Sequence, residues 1–358
     1  MFRRNGLALV LTLVIALLIA ACQPIELPTP AAEEAATETV AAGESVSVEE
    51  DNLVIYSGRN ENLIAPLLEQ FQADTGITVE VRYGDTAEMA ATILEEGQNS
   101  PADVFFGQDA GALGALQQAG RFQPLPEDVL ELVDPSFRSD EGQWIGVSGR
   151  ARVFAYNSEN VGEDELPESI WDLTDPAWQG RVGWAPTNGS FQSFVTALRV
   201  LEGEDRAREW LEAMIANDVQ IYAGNTQIVE AVGRGEIDLG LTNHYYLYRF
   251  LAEDPNFPVV NYYPPSGGAE SMVNVAGVGI LDTANSPVAA LSFVRYLLSD
   301  TAEQYFADQT VEYPLAGEVT INERLTPLSE INIPDIDLSD LADLEGTLQL
   351  LQDVGALD

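Results

Sequence analysis

Between residues 53 and 120 the chain alternates strand, helix, strand, helix, strand, and this order limits the possible folds more than any other feature. Leu53-Val54-Ile55-Tyr56 is a short apolar run that stops at Ser57-Gly58. Leu63, Ile64, Leu67, Leu68 and Phe71 then recur at helical spacing, with Gly76 as the stop signal. Residues 77–83 alternate as a strand that ends at Gly84-Asp85. Thr86 reads as the N-cap of a helix that buries Met89, Ile93 and Leu94 and closes at Gly97. Asp103-Val104-Phe105-Phe106 is the third strand, followed by Gly107-Gln108-Asp109 and a small-residue helix to Gly120. Strands separated by helices of this length predict a parallel sheet with crossover helices.

The second half repeats the pattern without repeating the sequence. Arg181-Val182-Gly183-Trp184 leads through Asn188-Gly189-Ser190 into a helix over 191–201. Val219-Gln220-Ile221-Tyr222 leads through Gly224-Asn225-Thr226 into a helix ending at Gly233. In open α/β sheets, ligands bind in the crevice beyond the carboxyl ends of the strands. Ser57 to Asn60, Gly84-Asp85, Gly107 to Asp109, Asn188 to Ser190, Asn225 and Asn243 to Tyr246 all occupy such ends. Two sheets facing each other across a cleft make a two-lobed α/β protein that closes around its ligand.

The most telling of these loops is Thr242-Asn243-His244-Tyr245-Tyr246-Leu247-Tyr248, which follows the apolar strand 237–241. Adjacent tyrosines at a strand end can aim two phenol oxygens into one crevice. A phenolate is a hard anionic donor, suited to Fe³⁺ above other cations. A phenol ionises near pKa ~10, so only a strongly acidic metal displaces its proton at neutral pH. The competing reading is an aromatic patch that packs a helix onto a sheet.

The termini and the charge narrow the class. Arg3 and Arg4 precede an apolar core over 7–18 that is short for a membrane span, and Ile19-Ala20-Ala21-Cys22 closes it like a bacterial lipobox. Residues 1–22 therefore read as a lipoprotein signal peptide with Cys22 as the lipidation site. Cys22 is also the only cysteine, which excludes a disulfide framework and cysteine-ligated zinc. Residues 23–50 carry prolines and an Ala/Glu/Thr/Val stretch without aromatics, and read as a flexible linker. The net charge is −42, and all 16 basic residues are arginine. The absence of lysine removes Schiff-base chemistry and a P-loop lysine, and the acidic field opposes nucleic-acid binding.

Several segments together resemble the bacterial ferric ion-binding proteins, the substrate-binding subunits of iron(III) ABC transporters. They are Val54 to Arg59, Pro101 to Phe106, Trp144 to Arg152, Asp172 to Gly180, Asn243 to Tyr248 and Glu312 to Leu315, collinear from about 53 to 320. The resemblance implies the two-lobed periplasmic-binding-protein-like fold (type II), with two α/β domains, a cleft and a strand hinge. Residues 51–150 with 274–325 would form the N-terminal lobe, and 151–273 with 326–358 the C-terminal lobe. It implies Fe³⁺ as the transported ligand, held by Tyr245 and Tyr246 with carbonate or phosphate as a synergistic anion. Asn188, Gly189, Ser190, Asn225 and Asn243 match the polar shell that holds the anion in some members. Gly189 and Ser190 also open a helix, whose free N–H groups favour an anion on physical grounds. Plain N-capping is the alternative role for Asn188 and Asn225.

Two positions depart from that pattern. Asn60 stands where some members have a histidine ligand, and Gln108 where they have a glutamate. Neutral amides are poor ferric ligands, so Asp109, Tyr56, Tyr83, water or the anion is left to complete the coordination. Arg59 is expected either to balance the anion or to lie at the surface. His244 is expected to be structural or at the surface, Arg150 and Arg152 to pair with acidic residues across the hinge, with neutralisation of the cleft as the alternative, and Trp171 and Trp178 to anchor the core. Residues 321–358 read as a closing helix on the second lobe.

The expected protein is a monomeric, lipid-anchored iron receptor outside the cytoplasm that serves an ABC permease. A receptor for thiamine, a polyamine, a phosphonate or a sugar is the alternative, with Tyr245, Tyr246, Tyr262 and Tyr263 as an aromatic wall. A surface glycosidase comes third, because one histidine and no lysine leave only carboxylate chemistry.

Overall fold

The computed structural model describes residues 52–357; the signal peptide, the linker and Cys22 lie outside the described residues. Strand β1 (Asn52–Ser57), helix α1 (Glu61–Thr75), strand β2 (Thr78–Tyr83), helix α2 (Thr86–Glu96), strand β3 (Val104–Gly107) and helix α3 (Ala110–Gln118) follow the expected alternation. β1 lies between β2 and β3, parallel to both. The short helix α4 (Glu127–Leu130) leads toward β4 (Ile145–Asn157), all of whose residues are buried. Then come β5 (Val182–Trp184), α5 (Gly189–Glu202), α6 (Glu204–Ala216), β6 (Gln220–Ile221) and α7 (Asn225–Gly233). β7 (Leu239–Asn243), α8 (Tyr246–Glu253), β8 (Val259–Tyr262) and β9 (Val273–Ile280) complete the sheet, and α9 (Pro287–Leu297), α10 (Asp300–Tyr305) and α11 (Leu344–Asp353) close the chain.

The strand order is β2-β1-β3-β9-β4-β7-β5-β6, with β8 also on β4. β4 is the element that joins the lobes. Its first half, up to Ala151, pairs antiparallel with β9; from Arg152 onward it pairs with β7 and then β8. Thirteen extended residues span roughly 40 Å, enough to run from one lobe into the next. The strand ends of both lobes thus open onto the cleft beside residues 150–152.

Local chemistry accounts for the element boundaries. Asn60 caps α1, and Gly76 ends it in the left-handed region at φ +76°, which glycine adopts without strain. Asp85, and not Thr86, caps α2: its carboxylate accepts from Ala87 N at 2.9 Å. Thr86 instead packs so closely on Gly58 that no side chain fits there. Leu94, expected on the buried face of α2, is 44% exposed. Trp178 is buried as expected. Trp171 is only half-buried, stacked under the Arg206 guanidinium at 3.7 Å with its ring N–H on Glu202.

The tail carries the expected helix, α11, and before it a turn that reaches residues 117 and 144. Ser339, in the turn Leu338–Ala342, accepts from Trp144 Nε1 and donates to Gln117 at the end of α3. Helix α11 then packs on α5, with Thr347 and Thr196 hydroxyls 2.7 Å apart. The tail therefore bridges α3 and α5.

Candidate functional site

β7 ends at Asn243 and α8 begins at Tyr246, so Tyr245 and Tyr246 occupy the turn into a helix at the cleft edge. Their rings stack with centroids 4.5 Å apart and an interplanar angle of 30°. Both remain partly accessible, unlike their neighbours Asn243, His244 and Leu247. Two adjoining cavities of about 500 and 980 Å³ meet at this pair, and share Tyr245, Tyr246, Gln108, Asp85 and Gly58 as wall. The pair therefore borders both spaces, while Tyr246 also packs against the apolar cluster of α7 and its neighbours.

The smaller cavity has a built polar wall. A cluster of Trp184, Phe191, Phe194 and Trp210, with ring centroids 5.3–5.9 Å apart, holds the first turn of α5 in place. Asn188 caps that helix, accepting from Ser190 N at 3.1 Å and from Ser190 Oγ at 2.6 Å. Asn225 does not cap α7, a position held by Gly224. It reaches across instead, its Nδ2 donating to Asn188 Oδ1 and to Ser190 Oγ, each at 3.1 Å. Asn243 Oδ1 accepts from Arg152 Nη1 at 3.1 Å, and the same nitrogen lies 3.4 Å from Ser190 Oγ. Four of the five predicted anion-shell residues thus form one network with Arg152, beside the Gly189 N–H.

Arg150 and Arg152 correct the expectation of acidic pairing across the hinge. Among the described residues neither forms an ion pair; both line the smaller cavity. Two residues apart on β4, they project to the same face. Arg152 stacks on Phe194 at 5.4 Å. Burial lowers its pKa to about 10, against an upward pull from Tyr245 and Tyr246, so it stays cationic at neutral pH. Arg150 is 4% exposed, and its Nε has no partner. Burial, and next the closeness of Tyr246, push the Tyr245 phenol above its ordinary value, while Arg150 opposes them. Tyr245 is thus a neutral phenol beside arginines that form no ion pair among the described residues.

The other predicted residues have mixed fates. Arg59 is neither at the surface nor free for an anion. It is 1% exposed and makes a two-pronged pair with Glu312 at 3.1 and 3.0 Å. Glu312 lies well below the usual carboxylate range despite burial, because Arg59 and Arg150 hold its charge. Replacing Arg59 by Leu strands that carboxylate, and urea unfolding should show a loss of about 3–5 kcal/mol. Gln108 accepts from Arg59 Nη1 at 3.1 Å. Asp109 caps α3 and faces the smaller cavity, its pKa raised by burial and restrained by Arg150. Asn60 caps α1 at the rim of the larger cavity.

Tyr83 lines the larger cavity, whereas Tyr56 points away, with its hydroxyl on Glu96 at 3.0 Å. The aromatic wall also shrinks. Tyr263 bonds Tyr313 at 2.8 Å and Tyr262 packs near Phe154, so neither belongs to the two cavities at the tyrosine pair. His244 is wholly buried and structural, as its flanking position suggested. Glu312 was missed as a site residue, while the cleft-facing placement of the two hinge arginines matches the second of the two roles weighed for them. The spacing Arg150-Ala151-Arg152 was the available signal for that placement.

Residues 99–340 match the family described as bacterial extracellular solute-binding protein. The Fe(3+)-binding periplasmic protein of Serratia marcescens is 31% identical over 332 residues, which is 92% of this chain and 97% of that protein. Iron-bound HitA from Pseudomonas aeruginosa superposes with a TM-score of 0.77 at 34% identity, over 85% of this chain and 99% of that one. The Trichodesmium protein solved with iron and citrate ligands gives 0.76 at 30% identity, over 85% and 99%.

Proposed function

We propose that this chain, which belongs to the bacterial extracellular solute-binding proteins and to the ferric ion-binding family among them, captures Fe³⁺ together with an oxyanion and presents it to an ABC permease. The observation that carries this reading is the stacked pair Tyr245–Tyr246 opening onto a cavity whose wall holds an uncompensated Arg152 and a helix N-terminus. The phenols supply the hard anionic donors once the metal displaces their protons. Arg152 and the Gly189 N–H at the start of α5 supply the counter-charge and donors for carbonate, phosphate or an organic carboxylate. Among the described residues no group of three His, Cys, Asp or Glu side chains gathers to hold a metal, so the tyrosine pair with an exogenous anion is the ligand set this reading uses.

The protein works outside the cytoplasm as a monomer tethered through lipid on Cys22. Closing the lobes about β4 traps the cargo, and the ligand favours the closed form only by its greater affinity for it. The organic-solute alternative loses support with Tyr262 and Tyr263 outside the cleft. The glycosidase reading loses support because Asp85 and Asp109 each spend a carboxylate oxygen on a helix cap.

Incubation with ferric salt and bicarbonate, phosphate or citrate, followed by gel filtration, should leave stoichiometric iron on the protein. Calorimetry with thiamine, spermidine, a phosphonate and a sugar should show no tight binding. Tight uptake of one of these, with no iron retained, would refute the proposal.

A further inference from the structure

We infer that Gln108 turns its amide N–H₂ into the cleft and holds the oxyanion against the metal, so that the first lobe contributes a hydrogen-bond donor and no metal ligand. This rests on the ferric reading above. Gln108 follows β3 and is one of the few residues common to both cavities at the tyrosine pair. Its backbone is held from two sides: its N–H donates to Thr86 Oγ1 at 3.3 Å, and its carbonyl accepts from Arg150 Nη2.

The side chain has only one sensible orientation. Oε1 accepts from Arg59 Nη1 at 3.1 Å. Arg59 cannot swing away, because it is buried and bonded through both terminal nitrogens to Glu312, which Ser148 also holds. A flipped amide would set its N–H₂ against the guanidinium, donor facing donor. The oxygen therefore points inward, and the two N–H donors are left for the cleft.

That orientation decides what the position can bind. A ferric ion approaching Oε1 would meet a neutral oxygen already shared with a fixed cation, so Coulomb repulsion from Arg59 opposes coordination. An oxyanion meets the reverse situation. It finds two N–H donors on the first lobe, and Arg152 and the Gly189 N–H on the second. Arg150, whose buried Nε has no partner, lines the same cavity and adds positive charge to that wall. An oxyanion held from both sides links metal capture to closure of the lobes.

The test measures iron affinity of the full chain by chelator competition, in anion-depleted buffer and with bicarbonate, phosphate or citrate added. Wild type should bind iron more tightly with at least one oxyanion. Gln108→Leu should cut that enhancement about tenfold or more. Gln108→Glu, which offers a carboxylate beside Arg59, should bind iron more tightly than wild type in depleted buffer and lose most of the enhancement. Near-UV circular dichroism confirms that both variants are folded, and whichever folds decides the matter. An enhancement equal to wild type in a folded variant, with every oxyanion, would overturn the role of Gln108. Failure of wild type to bind iron in any buffer would instead overturn the ferric reading itself.

Discussion

With Tyr245 or Tyr246 replaced by Phe, the protein should lose more than about 100-fold in ferric affinity, and the double variant should hold no iron. Loss of groups that merely orient a metal ligand already costs about 10–100-fold, and here the donor atom itself is removed. The stacked rings keep their apolar contact in a Phe variant, so thermal unfolding of the metal-free protein should barely change. Proton release supports the same assignment. Burial keeps the Tyr245 phenol protonated well above neutral pH, so its coordination must expel a proton. Iron loading in weakly buffered solution should acidify the medium, and each Phe substitution should remove one proton from the count. Equal proton release by wild type and variants would place the iron elsewhere.

Replacing His244 by Ala should cost about 3–5 kcal/mol of stability, as large a penalty as that expected at Arg59. Its ring is the junction of three segments. Nδ1 accepts from Ala151 N–H at 3.1 Å, where β4 passes between the lobes, and Nε2–H donates to Val311 O at 2.7 Å. Val311 is β-branched, yet stands at φ +55°, in the left-handed region that such residues avoid. Removal of the imidazole leaves two buried backbone groups unpaired and frees a strained turn. Burial pushes the His244 pKa down to about 4, against the pull of its hydrogen bonds and of Glu312.

The sign of the pH effect follows. Between pH ~6.5 and 4 the unfolded chain takes up a proton that the folded chain refuses, so acid removes stability, about 3 kcal/mol over the window. Glu303 acts in the opposite sense. It is fully buried, with a pKa raised by burial to about 9, and its contribution falls as pH rises from ~4.5. The measurement is therefore a difference. Urea melts of wild type and His244→Ala across this range should show the variant's penalty shrinking as pH falls. A penalty that stays constant would refute the neutral, doubly bonded imidazole.

The parts legible in the sequence are those decided by neighbours along the chain. The alternation from β1 to α3 was visible because each strand is apolar and each helix carries its own stop or cap, such as Gly76. The tyrosine pair was visible because its two members are adjacent. Other features depend on register or on distant residues. Tyr56 and Tyr83 looked equivalent as spare ligands. In the sheet, however, Tyr56 lies opposite Arg82 while Ser57 lies opposite Tyr83, so the two phenols leave opposite faces. Arg82 stacks on Tyr56 at 5.1 Å, and only Tyr83 reaches a cavity. Arg59 depended on Glu312, 253 positions away, which no local pattern reveals. The hinge arginines could be read either as paired or as cleft cations; the choice rests on distant residues, since the nearby Glu312 and Asp109 are committed to Arg59 and to the cap of α3.

The visible spectrum of the full-length protein during titration with ferric ion and bicarbonate is the most direct measurement. Coordination by Tyr245 and Tyr246 predicts an intense orange-to-red phenolate-to-iron band that saturates with the bound metal and is absent from the double Phe variant. Iron held tightly without colour, or a band that survives loss of both hydroxyls, would contradict it.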